Sequence, residues 1–134
     1  MAKLGSIYLL ADNAAASLDF YTAAFDAEEV ERWIDPENGK IGHAEFRIGR
    51  QSLFTADEYP SMAAIGVKSP KSLGGTTLTL WIEVDDLKAA KTKALAAGAR
   101  LLEDIKPATD GGERCRIADP AGHCWTLFAA TAKA

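Results

Sequence analysis

The stretch Arg114-Cys115-Arg116-Ile117-Ala118-Asp119-Pro120-Ala121-Gly122-His123-Cys124-Trp125-Thr126-Leu127-Phe128 limits the possible folds of this chain more than any other. Strand-like residues flank Asp119-Pro120-Ala121-Gly122, in which Pro presets φ and Gly accepts a positive φ two residues later. That is the signature of a β-hairpin built on a type I turn closed by a G1 bulge. The bulge pairs Asp119 with His123 and sets Arg116 opposite Thr126, so the two share a face. Arg116, Cys124, Thr126 and Phe128 then line one side of the hairpin, and Ile117, Trp125 and Leu127 the other. Cys115 and Cys124 fall on opposite sides. Two cysteines do not make a disulfide framework, and both are read as reduced thiols.

The rest of the chain repeats one order of elements. Ser6 to Leu10 alternates as a short strand. Asp12 or Asn13 caps a helix, whose Leu18, Tyr21 and Phe25 lie at helical spacing on one apolar stripe, with Ala14 a turn earlier. The helix ends near Asp26. Val30 to Ile34 is a second strand, and Asp35-Pro36-Glu37-Asn38-Gly39 a turn dense in breakers. Ile41–Ile48 and Gln51–Ala56 follow as strands joined at Gly49-Arg50, where Gly in the first central position fits a II′ turn. That register sets Glu45 opposite Phe54 and Arg47 opposite Ser52. Asp57 to Thr76, with Pro60, Pro70, Gly66, Gly74 and Gly75, is expected to be an irregular linker and a flap over a pocket. The order then restarts. Leu78 to Val84 alternates, with Thr79, Trp81 and Glu83 on one face. Asp85 or Asp86 caps a helix over Leu87–Ala97 that Gly98 stops. Arg100 to Ile105 is a strand, Lys106 to Gly112 a turn region, and the opening hairpin ends the fold. The tail from Ala129 is expected to fray.

Each half thus reads strand, helix, strand, strand, strand. A single βαβββ unit cannot bury its sheet alone, so the two should pair in one α+β domain. Module one covers 5–57, the linker 58–75 and module two 76–129 of a single domain 1–134. Composition agrees: 134 residues, 48% hydrophobic and 25% charged, are ordinary for one soluble globular domain. The net charge of -4 and a pI near 5.1 argue against a nucleic acid or an anionic membrane as partner. No apolar run approaches the ~18 residues of a membrane span. Met1–Ser6 lacks the apolar core of a signal peptide. The expected location is cytoplasmic.

Asp19-Phe20-Tyr21, Gly42-His43-Ala44-Glu45-Phe46-Arg47-Ile48-Gly49, Ser69-Pro70-Lys71-Ser72-Leu73-Gly74-Gly75, Val84-Asp85-Asp86 and Asp119-Pro120-Ala121-Gly122-His123-Cys124-Trp125-Thr126-Leu127 resemble the vicinal oxygen chelate superfamily. That superfamily holds glyoxalase I, bleomycin- and fosfomycin-resistance proteins and extradiol dioxygenases. The likeness runs from Ser6 to Ala129 and is strongest to the PhnB-like glyoxalase/bleomycin-resistance branch. It implies two paired βαβββ modules forming a curved, eight-stranded open barrel around a cavity, with the helices outside. It also implies a homodimer, sometimes with modules exchanged so that each cavity is shared. Metal-using members place His or Glu on the first and fourth strands of the modules. The matching positions here are Ser6, Phe54, Thr79 and Thr126, none a good divalent-metal ligand. The resemblance therefore implies a member with no metal site and no cofactor.

What remains on the inner face is a few polar groups on an apolar wall, as in a small-molecule pocket. Tyr8, Phe54 and Trp81 supply aromatic surface. Ser6, Thr79, Thr126 and Arg116 supply hydrogen bonds and one fixed positive charge, suited to a carboxylate or phosphate-like group. Tyr8 and Trp81 could instead be core aromatics. Arg116 could only pair with Glu45 or Glu83. His43 and Glu45 share a face at i, i+2 and are candidates for a general base with its orienting carboxylate, or for a solvated strand edge. His123, just after the turn glycine, is expected to be exposed, and Cys124 to be packing. The leading expectation is a metal-free protein that binds an aromatic or anionic small molecule. The alternative is a metal-dependent lyase or isomerase with a non-standard ligand set. A third reading is a structural or regulatory module whose cavity is filled by its own side chains.

Overall fold

In the computed structural model, which describes residues 1–109 and 111–131, the repeated order is realised in full. Module one is β1 (Tyr8–Ala11), α1 (Ala14–Phe25), β2 (Glu28–Ile34), β3 (Ile41–Ile48) and β4 (Gln51–Asp57). Two short linker helices follow, α2 (Pro60–Ala63) and α3 (Pro70–Leu73). Module two is β5 (Thr79–Glu83), α4 (Leu87–Ala96), β6 (Arg100–Pro107), β7 (Glu113–Ala118) and β8 (Cys124–Ala129). Each module is one four-stranded sheet, ordered β1-β4-β3-β2 and β5-β8-β7-β6. The first strand of each pairs parallel with the last, and the other pairs are antiparallel.

Local chemistry explains the ends of the elements. Asn13, rather than Asp12, caps α1 by accepting the Ala16 N–H at 3.1 Å, and Asp86 caps α4 through the Ala89 N–H at 3.0 Å. Asp57 accepts the Ala14 N–H at 2.8 Å and the Ile41 N–H at 2.7 Å, fastening the start of α1 to β3. Both hairpins take the expected registers, with Glu45 opposite Phe54 and Arg116 opposite Thr126. Gly49 has φ +59 and Arg50 does not share it, as a II′ turn requires. The Asp119 N–H donates to the His123 carbonyl at 2.9 Å, closing the bulged turn.

The helix-bearing faces of the two sheets meet in one core. Tyr21 of α1 stacks on Phe46 of β3 with centroids 4.7 Å apart and tilts against Trp125 of β8 at 5.3 Å. Phe25 also reaches Trp125, at 5.0 Å. Trp125, Tyr21, Phe46, Leu18, Ile117 and Leu127 are fully buried, and α1 packs on α4. Each such side chain contributes roughly 1.5–3 kcal/mol by leaving water. The eight strands remain two separate sheets, and no barrel closes within the described residues of one chain. The face of each sheet away from the helices is left open.

Several expectations need correction. Ser6 lies just before β1, not in it. Strand β2 starts earlier, at Glu28, and β6 runs on through Lys106 and Pro107. The linker is not irregular throughout: buried Ser69 caps α3 by accepting the Ser72 N–H. Glu58 accepts from both Ser69 and Ser72, and Lys71 pairs with Asp12 at 2.9 Å. A Cβ placed on Gly122 would come within 3.0 Å of Pro70. The linker thus docks at the β1 end and the β7–β8 turn. His123 is buried rather than exposed, with Nε2 2.7 Å from the Leu10 carbonyl. That contact ties the module-two turn to module one. Of the tail expected to fray, Thr131 accepts the Gly112 N–H, and residues 132–134 lie outside the described residues.

Candidate functional site

The open face of module one gathers Tyr8, His43 and Phe54. The parallel β1–β4 register sets Tyr8 beside Phe54, and the two rings meet edge to face at 5.6 Å. His43 packs on Phe54 at 4.9 Å, and its Nδ1 lies 2.8 Å from the Tyr8 hydroxyl. Its Nε2 lies 3.8 Å from Glu31. Partial burial raises the Tyr8 pKa above the usual phenol value. Glu45 shares this face, but its carboxylate accepts from Ser52 at 2.7 Å rather than orienting His43. Ser6 donates to the Ser52 carbonyl at 3.2 Å.

The open face of module two carries a second cluster. Thr79 and Thr126 bond hydroxyl to hydroxyl at 2.8 Å. The Cys124 thiol donates to Thr79 at 3.2 Å. Trp81, 53% exposed, tilts against Phe128 at 5.3 Å. Arg116 donates to Thr126 at 3.2 Å and to Glu103 at 2.8 Å. Its carboxylate partner is therefore Glu103, not Glu45 or Glu83. Glu103 also binds Arg114 and, at 2.8 Å, Lys106. The hydrogen bonds from Lys106 and Arg114 hold its carboxyl down to about 2. One carboxylate bound by three cations leaves positive charge in excess there, near exposed Trp81 and half-buried Phe128, with Glu83 the other carboxylate on this face of β5. Sequence reasoning missed Glu103, because register shifts on both sides of it hide which face it takes. It also missed the Tyr8–His43 bond, which spans β1 and β3 with β4 between them.

Both clusters contain residues singled out by sequence, but one chain does not bring the clusters together. Tyr8, Phe54, His43 and Glu45 lie on one sheet, and Thr79, Trp81, Arg116 and Thr126 on the other. The residues that the resemblance sets at metal-ligand positions, Ser6, Phe54, Thr79 and Thr126, do not fit a divalent ion. Phe54 has no donor atom. The Ser6, Thr79 and Thr126 hydroxyls are weak ligands already engaged in the bonds above. Among the described residues no three His, Cys, Asp or Glu side chains converge as a metal set.

Comparison with known proteins agrees with this architecture. Residues 3–127 match the Glyoxalase/Bleomycin resistance protein/Dioxygenase superfamily. The chain is 38% identical over 122 residues to uncharacterized proteins of Mycobacterium bovis and Mycobacterium tuberculosis, covering 91% of this chain and 80% and 71% of theirs. Among solved structures it resembles a family enzyme from Burkholderia phytofirmans (TM-score 0.75, 16% identity, 97% of this chain and all of that one). It also resembles a glyoxalase-related enzyme from Fulvimarina pelagi (TM-score 0.70, 21% identity, 96% and 88%). The fosfomycin resistance protein FosX of Listeria monocytogenes superposes with TM-score 0.71 at 16% identity over 98% and 95%. A variant of that protein has been solved with manganese(II) and a dihydroxypropylphosphonic acid. The chain belongs to the glyoxalase/bleomycin resistance protein/dioxygenase superfamily.

Proposed function

We propose that this chain is a metal-free binding protein for a small aromatic anion, held on the open sheet faces. The observation that carries the reading is the donor set. Where metal-using members hold their ion, this chain has hydroxyls bonded to one another or to backbone, and a phenyl ring. What surrounds those positions is binding chemistry. Trp81 and Phe128 offer a face for an aromatic ring. Arg116, sharing Glu103 with two other cations, offers a charge-assisted bond to a carboxylate. Thr126, buried and bonded to Thr79, holds the Arg116 side chain in place.

The second half of the cavity would come from a second copy. The two open faces differ in charge: module one presents Glu31 and Glu45 against Arg47, and module two presents Lys106, Arg114 and Arg116 against Glu103 and Glu83. Module one of one chain facing module two of the other, twice about a two-fold axis, encloses two equal cavities with complementary walls. Sedimentation at micromolar concentration should then give a dimer, and a monomer would refute the shared cavity.

Metal dependence separates this reading from the alternative, a lyase or isomerase with a non-standard ligand set. Elemental analysis before and after a chelator, with the melting temperature followed in both states, should show no stoichiometric metal and no loss of stability. One metal per chain, lost with a drop in melting temperature, would put the enzyme first. With benzoate as probe, the melting temperature should rise with ligand concentration. Arg116→Met should weaken that binding about tenfold, the loss of one charge-assisted bond.

A further inference from the structure

We propose that the seam between the two modules is a separate binding site for a lipophilic amine: an apolar body lying along the seam, with an ammonium group at its acidic end. A trough of about 610 Å³ runs between edge strand β5 and the β3–β4 hairpin. Its walls are mainly apolar, with Ile7 and Leu53 from module one and Leu78, Leu80 and Trp125 from module two, and Gln51, Thr79 and Glu83 add polar groups along it. Trp81, whose ring serves the open face, forms one lip. At the Ile48–Ile82–Glu83 end the trough continues into a second hollow of about 300 Å³, whose rim holds Asp26, Asp85, Asp86 and Lys93.

The charge at that end decides what the trough accepts. Lys93 is already paired with Asp26 at 2.7 Å, and Asp86 is used in capping α4. Glu83 and Asp85 remain, both exposed and without an ion-pair partner among the described residues. Among the described residues β5 pairs only with β8, so the backbone carbonyls on its other side have no strand partner there and can accept further N–H bonds. A carboxylate head would meet like charge there, and a neutral alcohol would leave the acids unanswered. An ammonium satisfies both while its apolar chain leaves water along the trough. This preference is opposite to that of the Arg116 side of the open face of module two, and although Thr79 and Trp81 border both, Arg116 belongs to one site alone and Gln51 to the other.

The test compares three probes with one apolar body, n-octylammonium, n-octanol and n-octanoate, by titration calorimetry at pH 7 and low salt. Octylammonium should bind about tenfold more tightly than either of the others, as expected for a partly desolvated ion pair. Glu83→Gln should remove about fivefold of that advantage and leave octanol binding unchanged. Gln51→Trp, a surface change at the trough wall, should block all three probes without lowering the melting temperature or altering benzoate binding at Arg116. Octanoate binding as tightly as octylammonium would overturn the assignment. So would probe binding untouched by Gln51→Trp, or no probe binding at all. Probe affinity that falls as protein concentration rises would show instead that a second copy fills the trough. Failure of benzoate binding would bear only on the open faces.

Discussion

At the residue scale, Asp119 holds the modules together more firmly than its place in a turn suggests. It is 4% exposed. Its carboxylate accepts the Tyr21 hydroxyl at 2.5 Å, the Trp125 indole N–H at 2.9 Å and the backbone N–H groups of Ala121 and His123 at 3.0 Å. Asp119→Ala strands several buried donors at once and should cost about 3–5 kcal/mol, read as a shift in a denaturation midpoint. Tyr21 gives a pH signature. Burial, and then the Asp119 charge, push its pKa well above the usual phenol value. The folded state keeps the proton that the unfolded chain loses near pH 10, so this contribution is present below pH 10 and is lost as pH rises above it. Tyr21→Phe should flatten the alkaline limb of the stability profile. Glu103 behaves in the opposite sense. With its folded value near 2 against 4.5, its contribution is present above pH 4.5 and lost as pH falls toward 2. Glu103→Gln should soften the acid limb over that window.

At the element scale, the β7–β8 hairpin was legible from its residues because a turn imposes its register locally. Asp119-Pro120-Ala121-Gly122 specifies a bulge, and the bulge specifies which side chains share a face. The helix caps were legible to within one residue, for the same local reason. The linker was not. Its second short helix has a local signal, Ser69 as N-cap, Pro70 at the first turn and Gly74 at the C-cap, but what docks it, Glu58 accepting from Ser69 and Ser72 and Lys71 reaching back to Asp12, does not show in proline and glycine content. Gly122 shows how the two meet. It has φ +98, and a side chain there would press on Pro70 of α3. Gly122→Ala should therefore cost about 1–3 kcal/mol from backbone conformation and contact together. The close contact is with the Pro70 Cβ, so Pro70→Gly in the same background should return only the contact part, a split that thermal melts of the single and double variants would resolve.

At the scale of the whole molecule, the sequence by itself determined two βαβββ modules, their caps, their hairpin registers and the alternation that puts Tyr8, Phe54, Trp81, Arg116 and Thr126 on faces opposite the core. All of this follows from interactions between neighbours in the chain or across one tight turn, where the period of the backbone decides direction. Only the tertiary structure decided how the modules meet. Tyr21 packs against both Phe46 and Trp125, the helix-bearing sides share one core, and the eight strands stay in two four-stranded sheets. The tertiary structure also chose the partners of the polar groups: Glu103 for Arg116, Tyr8 for His43, Leu10 for His123. Those pairings join residues far apart in sequence, and many partners satisfy the same local pattern. The close packing of Tyr21, Phe46 and Trp125 selects among them, because it admits one relative placement of the modules.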